Sequence, residues 1–119
     1  MNGSKLFLDT NIILYLLNGD KTLAELLNKK QLYISVITEL ELLAYKGITT
    51  SEEEIINDFI SQCKTISLNN AVKQETVRVR KAYNTKLPES IIIATALYLD
   101  LPLITSDIEF KKVNELTLI

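Results

Sequence analysis

The chain has 119 residues, 47% of them hydrophobic, with 13 lysines and arginines against 15 aspartates and glutamates, a formal net charge of −2. That length suits one domain with a real core and is short for two, and the weakly acidic balance gives no global attraction to nucleic acid, so such a partner needs a local basic patch. Histidine is absent and cysteine occurs once, at Cys63, which removes Ser/His/Asp and Cys/His catalysis, nearly every zinc site and any internal disulfide, and leaves polar chemistry mostly to carboxylates.

In chain order, KLFLD (5–9) reads as a short buried strand that ends at an acid, and TNIILYLL runs straight on with helical character to a turn at Gly19 and Asp20. Residues 21–29 form a second short helix by the spacing of Leu23, Leu26 and Leu27, and LYIS (32–35) is a second strand. ITELELLAY (37–45) sets Leu40, Leu43 and Ala44 on one helical stripe ended by Gly47. TTSEEEIINDFISQC offers Thr50 or Ser51 as an N-cap, with Glu53 or Glu54 three positions on. KTISL (64–68) is a third strand, followed by an amphipathic helix from Asn69 to Tyr83 capped by Asn69 or Asn70. PESIIIATALYLD has Pro88 at a first helical position and an almost wholly apolar body, as a helix in the centre of a fold would. LPLITSD (101–107) is a fourth strand that again ends at an acid, then comes a helical turn through Phe110 and a possible last strand, LTLI (116–119).

Short apolar strands alternating with helices predict an α/β protein, a three-layer α/β/α sandwich around a mainly parallel sheet of about four to five strands, within a single domain spanning 1–119. No apolar stretch reaches the roughly 20 residues needed to cross a bilayer, and no signal-type segment follows Met1, so the expectation is a soluble, cytoplasmic protein without membrane attachment. Such sheets bind ligands beyond the carboxyl ends of their strands, where Asp9 and Asp107 both fall.

An acid inside an apolar run is costly to bury unless something positive pairs with it. A divalent ion would do so, since hard ions such as Mg²⁺ and Mn²⁺ take about six oxygen ligands and favour two or more carboxylates. Further acids at the starts of helices are Glu39 or Glu41 after the second strand and Glu89 after Pro88. Glu39 and Glu41 point about 200° apart on a helix, so one of them faces the cleft. The plainer readings are a helix N-cap for Asp9 and Asp107 and a first-turn acid favouring the helix dipole for Glu89.

The stretches LFLDTNIILYLL, YISVITELELL, KLPESIIIATALYLDLPLITSD and the trailing EF together resemble the PIN-domain nucleases, specifically the small VapC-like toxins of type II toxin–antitoxin pairs, in the same order over essentially the whole chain. The resemblance implies an Asp ending the first strand, Asp9. It implies a Ser-x-x-Thr-x-x-Glu pattern, met by Ser35, Thr38 and Glu41, which selects Glu41 over Glu39. It implies a third acid in Leu-Pro-Asp-Ala, met here by Leu87, Pro88, Glu89 and Ser90, and a fourth ending Leu-x-Thr-x-Asp, met by Leu103, Thr105 and Asp107. Glu89 keeps the charge of the family's Asp but adds a methylene, moving the carboxylate by up to about 1.5 Å. Direct Mg²⁺ ligation tolerates that poorly and a water-bridged contact absorbs it.

For function, the resemblance implies metal-dependent hydrolysis of RNA phosphodiesters, with Asp9, Glu41, Glu89 and Asp107 as catalytic and metal-binding residues, Mg²⁺ or Mn²⁺ as cofactor, a cognate antitoxin as partner and a homodimer as assembly. Asn11, Thr10 and Thr105 would orient water or carboxylates, while Ser35 and Thr38 would cap their helix. Two other readings stand beside it: a non-catalytic PIN-fold module that binds RNA or protein with a degenerate acid site, and a phosphatase of the haloacid-dehalogenase type, for which the second acid of Asp-x-Asp is here Asn11. Lys73, Arg78, Arg80, Lys81, Lys86, Lys111 and Lys112 form a basic face that could neutralise RNA phosphates or simply be solvated.

Overall fold

The computed structural model describes residues 4–119; Met1, Asn2 and Gly3, part of the expected domain span, lie outside the described residues. Strand β1 (Lys5–Leu8) leads into α1 (Thr10–Leu17) and α2 (Lys21–Leu27); β2 (Gln31–Ser35) leads into α3 (Val36–Leu43) and α4 (Thr50–Ser61). Strand β3 (Lys64–Ile66), helices α5 (Asn70–Tyr83) and α6 (Leu87–Leu99), β4 (Leu103–Ile104) and a 3-10 turn (Ile108–Lys112) complete the order.

The four strands form one parallel sheet in the order β3-β2-β1-β4. Alternation of side chains along a strand sends neighbours to opposite faces, and the core divides accordingly. Leu6, Leu8 and Ile34 pack with Ile12, Ile13, Leu27, Ile56 and Ile60 from α1, α2 and α4, whereas Phe7, Tyr33 and Leu103 pack with Val79, Ile92, Ile93 and Ala96 from α5 and α6. The result is the expected three-layer sandwich, its strand ends opening on one edge. Residues Ser90 to Ala96 of α6 are all buried, which is why that helix shows no polar stripe. No helix among the described residues is long and apolar enough to cross a membrane.

Three local expectations are corrected. The N-cap of α4 is Thr49, which accepts from the Glu52 amide at 3.1 Å while Glu52 accepts from the Thr49 amide at 3.0 Å, a closed capping box. Each of Thr49, Thr50 and Ser51 has a glutamate three residues on, and the structure uses the first, with Ile56 and Ile60 buried further along the helix. Replacing Thr49 with Ala is expected to lower stability by about 1 kcal/mol, read as a drop in urea midpoint at unchanged slope. Helix α3 ends at Leu43, before Gly47, which instead adopts φ +87° in the turn beyond. The last expected strand is reduced to one parallel bridge, Leu103 to Leu118, with the Leu103 amide on Thr117 and the Ile119 amide on Leu103.

The C-terminal segment is fastened to α5 by Arg78, whose guanidinium grips the carboxylates of both Glu75 and Glu115, and by the Tyr83 hydroxyl on Glu115.

Candidate active site

Strand β1 delivers Asp9 to the open edge of the sheet, and the Asp9 backbone (φ −74°, ψ 154°) makes it the N-cap of α1. Its Oδ1 accepts from the Thr10 amide at 2.7 Å and its Oδ2 from the Thr105 hydroxyl at 2.7 Å. The residue is 6% exposed and takes part in no ion pair among the described residues. Burial pushes its carboxyl above the ordinary aspartate range; the two hydrogen bonds oppose that, and the charges of Asp107 and Glu41 add to it. The acid in the apolar run is therefore hydrogen-bonded but not neutralised, and two further acids bear on it.

Glu41 reaches the same place from α3. Ser35 caps that helix through the Ile37 amide, as expected. Thr38 does not cap it. Three residues before Glu41 and on the same helical face, Thr38 is fully buried and its hydroxyl lies 3.0 Å from that of Thr10. The Thr10 hydroxyl in turn donates to Glu41 Oε1 at 2.7 Å. Glu39 has no part in these hydrogen bonds.

On the other side, Asp107 caps the 3-10 turn by accepting from the Glu109 amide at 2.9 Å, and its own amide donates to the Thr105 hydroxyl at 3.0 Å. One threonine thus joins Asp9 to Glu41 and another joins Asp9 to Asp107. Glu89 stands apart: half-buried in the first turn of α6, it faces Asp107 across a cavity of about 260 Å³ and makes no hydrogen bond to the other three. Asn11 is exposed at the second position of α1. Cys63 is half-buried, and burial pushes its thiol up to about 11, so it is a protonated thiol at neutral pH.

The donor set is all oxygen, as hard divalent ions require, and a buried carboxylate opposed by two neighbouring acids is the charge pattern such an ion relieves. Among the described residues no three acids converge closely enough to grip an ion directly. Mg²⁺ commonly takes one or two carboxylates and keeps several waters, which fits this spread.

Sequence reasoning named the Thr10 hydroxyl as one that orients carboxylates, and what it missed is that Thr38 is the buried partner of that hydroxyl. The available signal was a threonine on the buried stripe of α3, one helical turn before the selected glutamate.

The family model for the PIN domain matches residues 6–116. The chain belongs to the PIN-domain family. Among solved structures, this PIN domain is similar to a chain of a toxin–antitoxin complex from Klebsiella pneumoniae, with 27% identity, TM-score 0.83, and coverage of 96% of this chain and 95% of that one. It shares its fold with a chain of VapBC2 from Rickettsia felis bound to a promoter DNA fragment (21% identity, TM-score 0.84, 97% of each chain) and with one of DNA-bound VapBC from Salmonella typhimurium (20% identity, TM-score 0.80, 97% and 96%). A search of curated proteins finds no match.

Proposed function

We propose that this PIN-domain protein is a metal-dependent endoribonuclease and the toxin of a type II toxin–antitoxin pair. The observation that carries the reading is the Asp9 carboxylate at the strand edge, paired with no lysine or arginine among the described residues, whose proton affinity is raised by burial and by the charges of Asp107 and Glu41. Asp9, Glu41, Glu89 and Asp107 would hold Mg²⁺ or Mn²⁺, which when bound supplies acidity to water and positive charge against the phosphate. The chain's own groups prepare the site. Thr105 fixes Asp9 Oδ2 and the start of the Asp107 turn, and Thr10 fixes one oxygen each of Asp9 and Glu41, so three carboxylates are aimed before any ligand arrives. Asn11, exposed at the second position of α1, would meet substrate or water.

Beside Glu41 lies a groove of about 370 Å³ walled by Leu14, Tyr45, Ile48 and Ile56. An antitoxin segment with an apolar face and a basic side chain reaching the acids suits it, and the toxin–antitoxin complex of the Klebsiella relative supports that assignment. Exposed Leu14, Tyr15, Leu40 and Ile55 offer area for a homodimer.

The test is cleavage of a labelled RNA panel with Mg²⁺ or Mn²⁺ and with EDTA. Cleavage abolished by EDTA is expected. The isolation of Glu89 favours one second reading, a binding module without turnover, whose signature is RNA or antitoxin binding and no cleavage at any metal concentration.

A further inference from the structure

The seven cations of the basic face are not equivalent once folded. Arg78 is held by Glu75 and Glu115, and Arg80 donates to the Thr85 carbonyl at 2.8 Å, fixing the turn between α5 and α6. Both are committed to the fold. Lys86 and Lys111 make no ion pair among the described residues, and Lys112 has one long exposed contact, 3.8 Å to Glu109, of a kind worth little in water.

These three lysines line two cavities that share one carboxylate, Asp107. Lys86 and Lys112 line the cavity shared by Glu89 and Asp107. Lys111 lines a second cavity, of about 270 Å³, on the Thr105 and Ser106 side of the same Asp107. The opposite flank of the site differs: the groove beside Glu41 is lined by Glu41, Glu52, the uncharged Thr10 and Asn18, and mostly apolar side chains, with no lysine or arginine among its lining residues. The acid site is therefore electrostatically lopsided.

We propose that Lys86, Lys111 and Lys112 are the phosphate-binding track for single-stranded RNA, carrying the strand across Asp107 from one cavity to the other and away from Glu41. This rests on the nuclease reading and adds the direction in which the substrate lies. The first cavity also contains Glu89, Asp107 and Glu109 against two lysines, so a divalent cation held by these acids would supply the positive charge the strand needs there.

Each phosphate contact contributes about 0.7 to the slope of log affinity against log salt for a single strand. The experiment is fluorescence anisotropy of a short labelled RNA in Ca²⁺ over a range of KCl, for the native protein, for Lys86→Gln, Lys111→Gln and Lys112→Gln singly and together, and for Lys46→Gln, a lysine beyond the end of α3. A parallel Mn²⁺ reaction records hydrolysis. We expect each track variant to lower the slope by about 0.7, the triple variant by about 2, and Lys46→Gln to leave it unchanged. An unchanged slope in the triple variant, an equal loss from Lys46→Gln, or no binding by the native protein overturns the track. Hydrolysis with slopes unmoved would remove the track and keep the nuclease; slope losses without hydrolysis would keep the track and remove the nuclease.

Discussion

Replacing Asp9 with Asn is expected to stabilise the metal-free protein at neutral pH while removing the stabilisation that Mn²⁺ confers. The carboxamide oxygen of the Asp9→Asn variant can still accept from the Thr10 amide, so the cap on α1 survives. What disappears is a negative charge held in a site that disfavours it. Since burial and the neighbouring acids raise the folded carboxyl above its ordinary value of 3.8, the native state binds more protons than the unfolded chain between 3.8 and the folded value. Stability therefore falls as pH rises through that window and stays lower above it. The variant escapes this loss. Its advantage is absent below 3.8 and grows through the window. Ligand binding reverses the order. At a Mn²⁺ concentration of about 100 Kd the native protein gains about 2.7 kcal/mol, and the variant, lacking the central acid, loses affinity by roughly a hundredfold or more. Thermal melts in EDTA and in Mn²⁺ should cross: the variant melts higher in the first and lower in the second. An Asp9→Asn variant that melts below native in EDTA at pH 7, or gains as much as native from Mn²⁺, contradicts this charge balance.

The second large effect is expected at Thr10. Thr10→Val keeps size and branching and keeps the amide that serves Asp9, but deletes the hydroxyl that positions Glu41 and meets Thr38. Thr38 is wholly buried, so its hydroxyl is left without that partner, at a cost of about 1–3 kcal/mol. Glu41 is freed to rotate into solvent, and Mn²⁺ affinity should fall by about 10–100-fold, the usual loss when a hydrogen-bond partner of a metal ligand is removed. Calorimetry measures the affinity and urea unfolding the stability. Thr10→Ser separates the two roles, since it retains the hydroxyl and should restore affinity to near native. If Ser fails to rescue, the methyl packing of Thr10 matters and the hydroxyl relay does not.

The strands, their parallel arrangement and the strand-end acids are legible in the sequence because they depend on local pattern: an apolar run that stops at a carboxylate and continues as a helix has few other structural meanings. The all-buried α6 is legible for the same reason, its polar stripe being absent. The cap of α4 is not, since three successive capping boxes are written in TTSEEE and their residue types do not rank one above another. LTLI has strand composition, yet nothing in that composition tells that a single bridge to Leu103 is all it forms. At the site, Thr10 links Asp9 to Glu41 and Thr105 links Asp9 to the Asp107 amide. Glu89 is singled out by its place in LPES, and the fold sets it in the first turn of α6, across a cavity from Asp107. The threonine hydroxyls linking the other three acids pair residues 28, 31 and 96 positions apart, a separation no local pattern reports.

Both margins of the sheet are blunted. At one, β3 has three residues with Lys64 and Thr65 exposed; at the other, β4 has two and is shielded by the Leu118 bridge, which Arg78 and Tyr83 secure through Glu115. Short, charged or covered edges resist the addition of a foreign strand. Such edges disfavour β-augmentation by a partner and leave helical surfaces and grooves as the ground for recognition, where side-chain fit rather than shared backbone hydrogen bonding would discriminate one partner from another.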